Sequence, residues 1–275
     1  MHAVSKEQPW KYVRLDRDGD VAIVTLNRPD RLNALSVDVM DGLEAHLGAV
    51  AADPAVRAVL LRAEGRSFCA GGDIKSGNLR HDERVRLVPT EKAARLRAQT
   101  NSVLHLHTMP KPTVSAMQGA AVGAGAAIGL AADLRLGSKS LEVSMAYSKI
   151  GLSSDFGGSY FLTLWAGAAA ARRLMLDAAP VTSEEALQLG LINQIVSDDD
   201  LDQQALTLAR KLAGGPTAAY ARIKHSLNLA ASGARLESVL DAEAQAVVEL
   251  MSESPDHKEA VKAFMERRMP AFKGR

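Results

Sequence analysis

Several things are scarce in this chain of 275 residues, and each scarcity excludes something. There is a single cysteine, Cys69, so an internal disulfide framework is ruled out and a reducing compartment is the fitting environment. Net charge is nearly absent, because 33 Lys and Arg stand against 32 Asp and Glu, which leaves no field to hold nucleic acid or a membrane surface. No apolar run is long enough to span a bilayer, and Met1 to Trp10 are mixed polar without a signal-peptide core, so the cytoplasm is the expected location. Aromatic residues are few. What is plentiful is aliphatic: 47% of the chain is hydrophobic, enough to bury a full core as one large domain or one domain plus a small appendage. Small molecules and other copies of the chain are the expected partners.

The first half alternates strand-like and helical runs. Val21 to Leu26 reads as a buried strand that ends at Asn27-Arg28-Pro29, since proline cannot donate to a ladder. Ser36 is placed to cap a helix with an apolar stripe at Val37, Met40, Leu43, Leu47 and Val50, closed by Asp53-Pro54. A strand at Ala58 to Leu61 then runs into the glycine turn Phe68-Cys69-Ala70-Gly71-Gly72-Asp73. Residues 76–90 are charged and irregular and are read as a loop. A helix is expected through Leu96, Thr100, Val103 and Leu104, stopped by Pro110-Lys111-Pro112 before a strand at Thr113 to Ala116. Gly119 to Gly125 is a small-residue turn into a short helix, followed by strands near Leu134-Arg135-Leu136 and Leu141-Glu142-Val143. Beyond Gly157 the reading is almost wholly helical, with a capping box at Thr182 to Glu185, Pro216 opening a helix, and a stripe at Leu236, Leu240, Ala244, Val247 and Met251. Helices this apolar, gathered at one end, are expected to meet a partner subunit.

Four segments, in order, resemble the crotonase (enoyl-CoA hydratase/isomerase) superfamily. Asn27-Arg28-Pro29 with Asn33-Ala34-Leu35-Ser36 is similar to its opening motif, and Phe68 to Lys75 is similar to its first oxyanion loop. Pro110-Lys111-Pro112 leading to Gly119 to Gly125 resembles the second loop, and Ala263 to Arg268 with Pro270 and Phe272 resembles the closing helix. The resemblance implies an α/β spiral of ββα repeats over residues 1–200, holding coenzyme A and the active site, and a C-terminal helical trimerisation region over 201–275. It also implies trimers or paired trimers, no metal, and no permanently bound cofactor, with coenzyme A present as the thioester carrier of the substrate.

Removing a proton next to a thioester carbonyl places negative charge on the carbonyl oxygen, and donors must aim at that charge. Glycine-rich turns let backbone N–H groups approach closely, and a helix N-terminus adds a favourable dipole. The resemblance assigns the two donors to Gly72 and to Ala124, which stands in the middle of a turn where three glycines are common. It places coenzyme A against Ala70, Gly72 and Ile74, with Arg31 and Leu32 nearby, and has Phe264 and Arg267 reach toward the nucleotide, often from a neighbouring subunit.

Hydration of a 2-enoyl thioester takes two carboxylates in this family. Matched through the motifs, the first of those positions holds Ala127 and the second Tyr147, and a phenol with an ordinary pKa near 10 is a poor base at neutral pH. Asp155, in Gly151 to Gly158, stands where the family's isomerases carry a single Asp or Glu, and one carboxylate suffices to shift a double bond. The expected reaction is therefore isomerisation of an unsaturated acyl-CoA, with Asp155 as proton shuttle. Apolar neighbours such as Phe156 are expected to raise its pKa. The alternative use of Asp155 is to cap a helix starting near Gly157. Other readings are a hydratase with a non-standard base, nucleophilic chemistry like that of the family's dehalogenases, and a catalytically weak acyl-CoA binder.

His105 and His107 lie two apart on a helix and face different ways, so they form no metal pair. Cys69 has no base beside it in sequence and reads as a packed side chain. His81, Asp82 and Glu83 belong to the charged loop, at the expected border of an acyl pocket.

Overall fold

The computed structural model describes residues 10–75 and 88–275. The charged loop and its His81, Asp82 and Glu83 lie outside the described residues, apart from the loop's last positions, 88–90.

Six strands form the main sheet: β1 (Val13–Asp18), β2 (Val21–Leu26), β3 (Ala58–Ala63), β4 (Thr113–Met117), β6 (Leu134–Ser138) and β9 (Gln194–Val196), in that spatial order. β1 and β2 form an antiparallel hairpin and every later pairing is parallel, so each return to the sheet needs a crossover. A second sheet joins β5 (Ala120–Val122), β7 (Glu142–Ser144) and β8 (Val181–Thr182). The helices are α1 (Val37–Ala52), α2 (Pro89–Gln99), α3 (Asn101–Thr108), α4 (Ala124–Leu130), α5 (Gly158–Asp177), α6 (Ser183–Gln188), α7 (Leu201–Ala213), α8 (Thr217–Ala231), α9 (Leu236–Glu253) and α10 (Pro255–Glu266).

Local chemistry accounts for several boundaries. The Ser36 hydroxyl accepts from Val39 N–H and starts α1, whose inner face buries Met40, Leu43, Leu47 and Val50 against Val24 and Leu61. Pro255 opens α10 at a position where a missing N–H costs nothing. The single helix expected through Leu96 and Leu104 is two, α2 and α3, divided at Thr100, whose hydroxyl donates to the Arg97 carbonyl and competes with the helical ladder. Leu104 accordingly faces solvent. The stretch beyond Gly157 is not wholly helical either. β8 and β9 are two and three residues long, too short to show a period of two.

Two layers of core result. One, between the main sheet and α1, α3, α4 and α5, contains Leu26, Leu43, Leu61, Phe68, Ile128 and Phe161. The other lies under α7, which seats Leu201, Ala205 and Ala209 on Leu60, Val114 and Leu136. Beyond α7 the helices leave much apolar surface uncovered. No residue of α9 is buried, and Leu227, Leu236, Val248, Phe264 and Met265 are all exposed.

Candidate active site

Two glycine turns meet at the end of the main sheet. The first follows β3 and is stitched to the second by Cys69 N–H to Ala120 O (3.0 Å) and Val122 N–H to Cys69 O (2.9 Å). Close approach explains two glycines. A Cβ on Gly71, where φ is +82°, would sit 2.7 Å from Val122 O, and one on Gly125 would sit 2.5 Å from Cys69 O. Between them, Gly123 takes φ 53° and ψ −122°, a conformation for glycine, and hands the chain into α4.

The candidate donors stand at this junction. Leu35 N–H donates to Gly71 O (2.8 Å), and because a peptide unit is planar, Gly72 N–H points the opposite way. Ala127 N–H donates to Gly123 O (3.0 Å), which fixes Ala124 N–H at the open first position of α4. Neither Gly72 N–H nor Ala124 N–H has a protein acceptor among the described residues. The Ala124 methyl is packed into the core.

Asp155 and Tyr147 come to the same place. The Tyr147 ring lies against Gly123 and its hydroxyl donates to the Asp155 backbone carbonyl at 3.2 Å. Ala127, wholly buried, is the neighbour on α4. Oδ1 of Asp155 is buried and has no hydrogen-bond partner among the described residues. Burial raises the carboxyl above its ordinary value, and the neighbouring Tyr147 hydroxyl offsets only part of this. Burial, together with the Asp155 charge, also pushes the Tyr147 phenol upward, so it is a neutral donor. Asp155 does not cap a helix: α5 is preceded by Gly157, at φ 73°, with no side-chain cap bond. Phe156, buried beside it, is itself left-handed at φ 47°, and strain of this kind in a bulky residue concentrates at functional sites.

A pocket of about 460 Å³ opens beside the first turn and is lined by Arg31, Leu32, Ala70, Gly72 and Ile74 together, the five positions assigned to coenzyme A from the first half of the chain. Arg66 and Lys75 also line it and escaped the sequence reading. Basic residues flanking a glycine turn were the available signal. Phe264, near the end of α10, and Arg267 beyond it are not among the lining residues, and the Phe264 ring is 82% exposed. A larger groove of about 1140 Å³ lies between α5 and α8, lined by none of these residues, where Leu164, Ile223 and Leu227 are left partly uncovered. The smaller pocket is the one that adjoins Gly72 and the opening motif; Ala124, Tyr147 and Asp155 are not among its lining residues.

The remaining candidates stay apart. Cys69 is buried, its thiol donating to Asn33 O (3.0 Å) and pushed up to about 12 by burial. His105 lies 4.0 Å from Glu44, while His107 packs edge-on to Tyr160 and Phe161. Among the described residues no group of His, Cys, Asp and Glu is arranged to hold a metal ion.

The enoyl-CoA hydratase/isomerase family model matches residues 16–275. The chain belongs to this family. Its crotonase spiral is shared with the crystal structure of an enoyl-CoA hydratase from Polaromonas sp. JS666, at a TM-score of 0.86 and 30% identity over 95% of this chain and 99% of that one. Among relatives, the 1,2-epoxyphenylacetyl-CoA isomerase of Escherichia coli (strain K12) is 36% identical over 93% of this chain and 95% of its own length. The short-chain-enoyl-CoA hydratase of Clostridium acetobutylicum is 30% identical over 96% and 98%. The protein is thus an acyl-CoA enzyme of the crotonase superfamily, and family members so similar to it carry out both isomerisation and hydration. Among the described residues no helix is long and apolar enough to cross a membrane.

Proposed function

We propose that the protein isomerises an unsaturated acyl-CoA, moving a double bond with Asp155 as the single proton carrier. In a 3-enoyl thioester the Asp155 carboxylate takes a proton from C2, and the electron pair spreads through the C3–C4 double bond and onto the carbonyl oxygen. Gly72 N–H and Ala124 N–H hold that oxygen. The same proton then returns at C4, giving the 2-enoyl product with no net gain or loss. Tyr147 anchors the Asp155 backbone and keeps the side chain turned inward.

The observation that carries this reading is the buried, unpartnered Asp155 oxygen at the mouth of α4, with Ala127 and Tyr147 where hydratases would need carboxylates. A buried carboxylate with one oxygen unpartnered and a raised pKa is a stronger base than an exposed one. Likeness to an isomerase of 1,2-epoxyphenylacetyl-CoA favours a second reading, a ring-bearing acyl-CoA as substrate, handled by the same acid and donors. Coenzyme A is assigned to the pocket of Arg31, Leu32, Ala70, Gly72 and Ile74. The exposed apolar faces of α8 to α10 are assigned to association into trimers, which would bring Phe264 and Arg267 to a neighbour's nucleotide.

The test is a pair of progress curves, with a 3-enoyl-CoA and with its 2-enoyl isomer, for wild type and Asp155→Asn. Conjugation of the first, no hydration of the second, and a loss of about 10²–10⁴-fold in the variant are expected. Hydration of the 2-enoyl substrate that survives Asp155→Asn would assign the chemistry to another group.

A further inference from the structure

The ion pair between Arg28 and Asp73 is not part of the acid or the donors assigned so far. Asp73 directly follows Gly72, and its carboxylate lies 2.6 Å from the Arg28 guanidinium, with 4% and 12% of the two side chains exposed. Arg28 is held on its own side: its backbone N–H donates to Asn33 Oδ1 (2.8 Å), its guanidinium donates to Ala34 O (3.3 Å) and lies 5.2 Å from the Tyr12 ring centre. The peptides beside Asp73 are tied to the same segment by Leu35 N–H to Gly71 O (2.8 Å) and Asp73 N–H to Leu35 O (3.1 Å). One guanidinium therefore bridges residues 34 and 73, and the backbone between those contacts includes Gly72.

We propose that Arg28 is a positioning residue for the first oxyanion donor, setting the direction and depth of Gly72 N–H through Asp73. The inference rests on the oxyanion role given to Gly72 above. Without Arg28, Asp73 becomes a buried charge lacking this partner. Because Asp73 also lines the coenzyme A pocket, it has a short route to water by swinging outward, which turns the adjoining peptide. Lysine restores the charge but, as a point cation, does not reproduce the planar fork that reaches Ala34 O and Asp73 at once. The Leu35 bonds remain in every such variant, so the turn is displaced rather than dissolved.

The experiment uses hexanoyl-CoA labelled with ¹³C at the thioester carbonyl, read by infrared difference spectroscopy at saturation, alongside steady-state kinetics with the 3-enoyl substrate. Wild type is expected to shift the carbonyl stretch to lower frequency. Arg28→Met loses most of that shift and about 10- to 100-fold in kcat, with KM changed less than about threefold, short of the full effect of deleting a donor. Arg28→Lys recovers part of both. The double variant Arg28→Met/Asp73→Asn, which removes the charge of both partners, regains thermal stability without regaining the carbonyl shift. A wild-type carbonyl shift and kcat in Arg28→Met would overturn the proposal, as would a double variant that recovers kcat together with stability, since the pair would then be only structural. A wild type that leaves the bound carbonyl unshifted takes down the oxyanion reading first, and this inference with it.

Discussion

The turn that carries Gly72 is clasped from outside. Asn33 ties the opening segment to Glu64 O and Ser67 O (2.9 Å each), Leu35 bonds to both flanks of Gly72, and Arg28 reaches Asp73 from 45 residues away. The turn that carries Ala124 is held by backbone bonds, through Gly123 N–H to Ser144 O (2.8 Å) on β7 and the first bonds of α4, and it runs into a helix buried at every position. The two candidate donors are thus stabilised by different physics. The first leans on side chains as well as backbone, whereas the second runs straight into the core, so damage there is felt in stability as well as in rate.

The largest effect belongs to the second turn. Ala124→Pro removes the N–H at the first helical position, where the proline backbone fits, and kcat/KM is expected to fall about 10²–10³-fold, or about 2.7–4 kcal/mol, together with a lower Tm because the ring replaces a methyl packed into the core. A full-rate Ala124→Pro enzyme would remove this group from the oxyanion site. Next is Gly125→Ala, whose methyl would collide with Cys69; urea unfolding should show a loss of about 1–3 kcal/mol. Unchanged stability there would break the contrast between a turn clasped by side chains and one that runs into the core. Smaller again is Ala124→Gly, which keeps the donor. It should cost about 0.5–1 kcal/mol of stability and leave kcat within about twofold.

The subtlest effect is on pH dependence. The folded protein holds the Asp155 carboxyl above its unfolded pKa, so the folded state binds the extra proton and stability falls as pH rises through that window. Asp155→Asn should therefore melt higher than wild type at neutral pH, with the gain vanishing below about pH 4, where both forms are uncharged. Wild-type activity should decline on acidification at a pH above the ordinary aspartate range. A variant that melts lower than wild type at neutral pH would show that Asp155 is stabilised by partners other than those described.

Much of this was legible in the sequence because it is local. Glycine turns, the Ser36 cap and the aliphatic runs of β2, β3 and β4 declare themselves within a few residues, and the order of four motifs specified the spiral. The five positions expected from the first half to meet coenzyme A line one pocket for the same reason, since two belong to the opening motif and three to the first glycine turn. What escaped was either too short or too distant. β5, β8 and β9 have no room for a period, and α7 looked like its neighbours until Ala205 and Ala209 were seen against the sheet. The Arg28–Asp73 bridge and the left-handed Phe156 depend on residues far away in sequence or on backbone strain, which no local pattern encodes.

The seam between the two turns also contains the only thiol of the chain. Cys69 is sealed there, bonded to Asn33 O and held protonated well above neutral pH, so an alkylating reagent meets neither an exposed sulfur nor a nucleophilic one. Reaction must wait until the seam parts. The rate at which Cys69 takes up a label is therefore a clock for the opening of the donor site itself, wound by the protein without any engineered probe.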